Sequence, residues 1–233
     1  MRRSSSTANA ILGLLALRHS WSTWELTTQL RRNMRFFWPR AESRIFAEAR
    51  RLESSGLART ETSFVGRRAR TTYSITATGR NELKRWLATP PRATSLECEP
   101  LLRVLLADLA GPDQVRLALD QVRADAEAIL TVGRVVGPEY LRRSAPFQDQ
   151  VHVRAHVLDF LTHHALMLLA WADRTELAVQ RWPVLSPLER ESAALTLIEK
   201  CLTEFPDSPL QIDRGQTGAV ASEPVGGAAI EVR

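Results

Sequence analysis

The hydrophobic pattern of the first ninety residues changes period twice, from helical to extended and back, and this restricts the available folds most. Residues 9–17 (NAILGLLAL) read as a buried helix, broken at His19 and Ser20. Ser22 and Glu25 stand at capping-box spacing and open a second helix running to about Arg32. A third helix is predicted over residues 40–54, with Pro39 in its first turn and Ile45, Ala49 and Leu52 facing inward. Gly56 is its stop. Residues 57–63 and 70–75 read as strands around a basic turn at 64–69. Residues 76–88 return to helix, with Leu83, Trp86 and Leu87 inward, and Pro90-Pro91 ends the module.

Three helices, a two-stranded hairpin and a closing helix predict a winged helix-turn-helix, a fold whose third helix enters the major groove of DNA. Charge agrees. Residues 1–90 hold 17 Lys plus Arg against 6 Asp plus Glu, a formal +11, whereas the remaining 143 hold 14 against 20, a formal −6. A basic half attracts polyanions, and an acidic half has another task. Only Lys84 and Lys200 are lysine among the 31 basic residues. Arginine suits bidentate contacts to phosphate and guanine, although a GC-rich genome produces the same bias.

The second half reads as helical throughout: residues 99–110, ended by Gly111-Pro112; a long helix from the cap Asp113 to about Val136, stopped by Gly137-Pro138; and another over 147–182, ended by Pro183. Ser186-Pro187-Leu188-Glu189 is another helix start, leading to a helix that ends near Phe205. From Pro206 the composition is that of a disordered tail. The fold class is therefore mainly α: an N-terminal winged helix-turn-helix over 1–90, a helical dimerisation or effector domain over 97–182, an extra helix over 183–205 and a tail over 206–233. Long helices with a wide apolar face call for a partner, and a second copy of the chain is the simplest one.

No run reaches about 18 apolar residues, so no membrane span is expected. Residues 10–17 are too short for a signal sequence and lack its small-residue cleavage site. Cys98 and Cys201 have no metal-type spacing and read as free thiols of a reduced, cytoplasmic protein. No Gly-rich phosphate loop, Gly-x-Ser-x-Gly or His-Glu-x-x-His is present. An enzyme is not expected, and no cofactor is implied.

The segment Phe37-Trp38-Pro39-Arg40-Ala41-Glu42-Ser43-Arg44-Ile45-Phe46, followed by Arg51-Leu52-Glu53-Ser54-Ser55-Gly56-Leu57, resembles the PadR family of bacterial transcription regulators. That family shows an aromatic, a polar stretch, Ile-Tyr and then Leu-Glu-x-x-Gly-Leu. The stretch Gly66-Arg67-Arg68-Ala69-Arg70-Thr71-Thr72-Tyr73-Ser74-Ile75-Thr76-Ala77-Thr78-Gly79-Arg80 is similar to its wing and closing helix. The resemblance covers residues 8–87 well, 99–182 loosely and 183–233 not at all. The departures are Thr23-Trp24 in place of the Gly-Tyr of a Gly-Tyr-Glu-Leu motif, Phe46 in place of Tyr, and Ala49 in place of Leu. The resemblance implies a homodimeric regulator that binds double-stranded DNA, with the helices over 99–182 as its dimerisation region. It also raises the expectation of a phenolic or drug-like small-molecule effector.

Candidate base contacts are Arg40, Glu42, Ser43 and Arg44, at the start of the third helix. Arg50 and Arg51, further along, are placed for phosphate or solvent. Arg67 and Arg68 at the wing tip, with Arg70, Thr71 and Tyr73 on its strand, are candidates for phosphate or minor-groove contact, with Tyr73 equally suited to packing in the hairpin. Trp21, Trp24, Trp38 and Trp86 read as core rather than a stacking surface. Phe160, Met167, Trp171 and Trp182 are candidates for a pocket that takes a flat aromatic effector. His152, His156, Asp159 and His163 share one helical stripe and are the only metal-ligand candidates, but i to i+11 spans roughly 16 Å, too far for one ion. A polar border, or a pH response through the imidazoles, is the alternative reading of that stripe. The leading expectation is a homodimeric repressor on a pseudo-palindromic operator; the alternative is a winged-helix protein–protein adaptor without DNA binding.

Overall fold

The computed structural model describes residues 5–65 and 68–204. They fall into two compact units divided at residues 179 and 180. In the first unit, α1 (Ser6–Leu17) starts three residues before the apolar run, because the Ser5 hydroxyl accepts from the Ala8 amide. A two-residue strand β1 (Trp21–Ser22) follows, then α2 (Thr23–Met34). The expected capping box is in place: the Ser22 hydroxyl accepts from the Glu25 amide, and the Glu25 carboxylate accepts from the Ser22 amide at 2.8 Å. The third helix, α3 (Glu42–Ser54), begins two residues later than its sequence predicts, so Arg40 precedes it and Ala41 caps it without a side-chain bond. It stops as expected at Gly56, whose φ of +68° is a backbone that favours glycine.

Strands β2 (Ala58–Val65) and β3 (Arg68–Ile75) form an antiparallel hairpin running from the pair Ala58–Ile75 to the pair Val65–Arg68. Both strands extend further toward the tip than expected. β1 adds to the other edge of β3, with Trp21 opposite Tyr73, giving the order β1-β3-β2. The closing helix α4 (Ala77–Leu87) is capped by Thr76. It lies so close to the start of the wing that a Cβ on Gly79 would sit 2.0 Å from the Leu57 carbonyl oxygen, which excludes every other residue there. Leu83 packs on the core as expected. Trp86 and Leu87 do not: Leu87 is 66% exposed, because the last turn of α4 runs past the end of that core. Ile11, Leu12, Leu15, Trp21, Leu26, Ile45, Ala49, Leu52 and Tyr73 make the core of this winged-helix head.

The expected helix over 99–110 is two pieces, α5 (Glu99–Leu105) and α6 (Ala107–Ala110), because Leu106 leaves helical geometry. Pro112 opens α7 (Pro112–Leu141), which does not stop at Gly137-Pro138. Pro138 lies in the final turn, where its missing N–H removes one bond while its carbonyl still accepts from Arg142 at 3.0 Å. Asp113 sits inside this helix, paired with Arg116, rather than capping it. A short 3-10 turn, Gln148–Gln150, precedes α8 (Val151–Arg181). Phe147, expected as the start of that helix, has instead φ 62° and ψ 42°. Along their length α7 and α8 are joined by Arg116–Glu176 and Arg123–Asp173 and by the apolar contacts of Ala126, Ile129 and Ala165. No described helix is long and apolar enough to cross a membrane.

In the second unit, the 3-10 turn Trp182–Val184 leads to α9 (Pro187–Thr203). The helix starts where expected, with a capping box of Ser186 and Glu189, and hydrogen bonds from the Ser186 hydroxyl and amide hold the Glu189 carboxyl below the usual range. The predicted tail over 206–233 lies outside the described residues.

Candidate nucleic-acid interface

The candidate interface is built from α2, α3 and the wing. Ile45, Ala49 and Leu52 bury one face of α3 and fix its rotation, so Glu42, Ser43, Arg44, Arg50 and Arg51 are all exposed. Glu42 is held by Arg31 of α2 at 2.8 Å. Arg51 donates to Glu48 at 2.9 Å, and the same carboxylate accepts from the Ser5 hydroxyl at 2.8 Å. The Arg44 guanidinium, in the first turn of α3, makes no hydrogen bond or ion pair among the described residues. Arg40 lies on the approach to the helix, its guanidinium 4.3 Å from the centre of the Trp38 ring and donating to the Pro39 carbonyl.

A charge network ties the wing to α2. The Glu25 carboxylate accepts from Arg18 at 2.6 Å, from Arg70 of β3 at 3.2 Å and from the Ser22 hydroxyl at 2.6 Å. Burial raises the pKa of this carboxyl, but the bonds from Ser22 and Arg18 outweigh it and hold it at about 2. Glu25 is therefore ionised at any working pH and fixes Arg70, two residues from the tip end of β3. Thr71 lies beside Arg70, half-buried. Tyr73 is a core residue; burial and the nearby Glu53 raise its pKa, against Arg50. Arg67 and the side chain of Arg68 lie outside the described residues.

Two further aromatics of the head are exposed. Trp24 is 74% exposed and, with Ser22, Thr23, Arg70 and Thr71, lines a hollow of about 430 Å³ between α2 and the wing. Its expected place in the core is overturned by helix phase: Leu26 and Leu30 define the inward face of α2, and Trp24 is off it. The register of the capping box already contained that information. Phe64 is 72% exposed near the wing tip. Trp21 is buried, as expected, and Trp38 half-buried.

Of the effector candidates, Phe160 and Met167 are exposed on α8 and Trp171 is half-buried on the same helix, while Trp182 belongs to the second unit. The histidine stripe gathers no ion site: among the described residues no three His, Cys, Asp or Glu side chains are close enough to hold a metal. His152 and His156 are exposed, and Asp159 pairs with His163 at 3.2 Å. A single straight helix spreads these groups along its axis instead of converging them.

No protein-family model matches the chain, and no curated protein matches it by sequence. Solved structures match it by fold. Bacillus subtilis PadR in complex with operator DNA is 19% identical, with a TM-score of 0.62 over 75% of this chain and 99% of that one. The PadR-like transcriptional regulator BC1756 from Bacillus cereus is also 19% identical, with a TM-score of 0.62 over 75% of this chain and 98% of that one. Bacillus subtilis PadR in complex with p-coumaric acid is 20% identical, with a TM-score of 0.55 over 74% and 98%. The chain therefore has the fold of PadR and PadR-like transcriptional regulators, mainly helical with a small antiparallel wing.

Proposed function

We propose that this chain, with its PadR fold, is a homodimeric, sequence-specific DNA-binding transcriptional regulator. The observation that carries the reading is Arg44: an exposed, unpaired guanidinium in the first turn of α3, on a head of formal charge +11. In this docking mode the N-terminal residues of the third helix meet base edges, and an arginine there takes guanine O6 and N7. Ser43 reads beside it, with Glu42 and Arg40 flanking. Arg50 and Arg51 contact phosphates, as do Arg67, Arg68, Arg70 and Thr71 along the wing. Residues 1–90 form the DNA-binding part and residues 97–182 the dimerising part.

Dimerisation accounts for the large apolar side chains that α5, α6 and α8 present to solvent, among them Leu101, Leu105, Leu109, Val153 and Phe160. The regulator acts as a repressor by occupying a pseudo-palindromic operator. A small aromatic effector on the face of α8 that carries Phe160, Met167 and Trp171 releases it, a role suggested by the p-coumaric acid complex of Bacillus subtilis PadR. No catalytic role is assigned.

The test is selection of binding duplexes from a random-sequence library by the full chain, followed by anisotropy with natural protein and Arg44→Ala. The variant is expected to lose about 1–3 kcal/mol of discrimination at one position of each half-site. An equal loss on all duplexes, selected or random, would assign Arg44 to phosphate and remove the observation on which the reading rests.

A further inference from the structure

Side chains cross between the winged-helix head and the α7–α8 pair in both directions. Phe147, in the connection leading to α8, packs on the head core with its ring stacked on buried Trp21, centroids 5.9 Å apart at 27°. Arg154 of α8 lies over the same Phe147 ring at 4.5 Å, and Arg18 lies over Trp21 at 4.1 Å. These four groups make a continuous run of cation–ring and ring–ring contacts from the end of α1 to α8. In the reverse direction, Phe36, just beyond α2, packs against the cluster of Ala126, Ile129 and Ala165 in α7 and α8, with Arg35 over its ring at 4.4 Å. Arg32 and Glu139 add an ion pair at 2.5 Å, partly exposed and so a minor contributor.

The backbone shows how firmly Phe147 is placed. A residue with a Cβ is rare at φ 62° and persists there when its surroundings over-determine it. The surroundings are the Trp21 stack and a connection folded on itself. In that connection the Tyr140 hydroxyl donates to the Pro146 carbonyl at 3.3 Å, the Gln148 side-chain amide to the Tyr140 carbonyl at 3.0 Å, and the Gln150 amide to Phe147 itself at 2.9 Å.

In a dimer that reads two half-sites, the seating of each head on its helical pair fixes the separation and relative rotation of the two third helices. We propose that Phe147, with Phe36 as its counterpart, is the positioning residue that sets the half-site spacing this protein accepts. The proposal rests on the dimeric DNA-binding reading above. Neither residue lies on α3 or the wing, so removing either ring leaves the reading surface in place while loosening its seat.

The experiment uses the full chain and the palindrome it selects. Anisotropy is measured on labelled duplexes carrying one half-site, two at the selected spacing, and two with one or two base pairs inserted or removed; each base pair rotates the half-sites by about 35°. The natural chain is expected to lose about tenfold or more in affinity per base pair of error, and Phe147→Ala under about threefold, with single half-site affinity unchanged. Phe36→Ala is expected to flatten the profile similarly, and Phe147→Leu serves should the alanine variant fail to fold. A folded Phe147 variant with the natural spacing profile overturns the proposal. So does one that loses half-site and palindrome affinity by the same factor, because the ring would then act on the fold of the head. Failure of the natural chain to enrich any sequence overturns the regulator reading itself, which is a distinguishable result.

Discussion

The head and the long helices solve the burial problem in opposite ways. The head puts its largest side chains inside: Trp21, Ile11, Leu12, Leu15 and Leu26 have almost no exposed surface. The α7–α8 pair buries mostly smaller ones, among them Ala118, Val122, Ala126, Ala165, Ala172 and Val179 beside Leu119 and Ile129, and turns large ones outward, so Phe160 is 63% and Leu117 66% exposed. A head of this kind is complete in one chain. A helical pair of this kind leaves apolar area that a second copy would cover. On the proposed dimeric reading, the head carries the contacts to DNA and the helical pair joins two copies.

Three variants stress this contrast, from the largest effect to the smallest. Trp21→Ala removes the ring at the centre of the head, together with its bond to the Leu14 carbonyl, and is expected to cost about 3–5 kcal/mol, enough to unfold the head in a urea titration. Loss of the same size at Phe160 would show that the two regions are not built differently. The double change Phe160→Glu with Met167→Glu is expected to leave the head melting as before while shifting the chain from dimer to monomer in light scattering. Affinity for the selected palindrome should then fall about 100-fold, toward that of one half-site. An unchanged molar mass would place the interface elsewhere.

The smallest effect concerns pH. Because the folded carboxyl of Glu25 sits at about 2 against an ordinary 4.5, its contribution is present above pH 4.5 and disappears as pH falls toward 2. Glu25→Gln is expected to lower stability by about 1–2 kcal/mol at neutral pH, a figure discounted for partial solvent screening. The gap to the natural chain should close between pH 4.5 and 2 in parallel denaturant titrations. A gap independent of pH would mean that the Ser22–Glu25–Arg70 network contributes by shape, not charge.

Local chemistry made much of this fold legible in the sequence. The Ser22–Glu25 capping box, the helix start at Ser186, the stop at Gly56 and the Ile45–Ala49–Leu52 stripe each act within a few residues, and each appears as the sequence pattern predicts. What the sequence hid depends on distant partners. Phe147 reads as a helix start, yet it is pulled into a left-handed turn by a ring more than a hundred residues earlier. Pro138 reads as a stop, but so near the end of α7 it costs only one bond. Trp86 and Leu87 follow the helical period of α4 but outrun the core beneath it. At the candidate interface, the exposure of Arg44 follows from helix phase alone, whereas the commitment of Glu42 to Arg31 and of Arg70 to Glu25 is tertiary and has no signature in sequence.

The most direct measurement is native mass spectrometry of the full chain, alone and on its selected duplex, with random competitor DNA in excess. Two chains in solution and two chains per palindromic duplex, retained against competitor, are expected of a homodimeric regulator. A monomer that binds one chain per duplex, or binding that the competitor removes entirely, would contradict that reading.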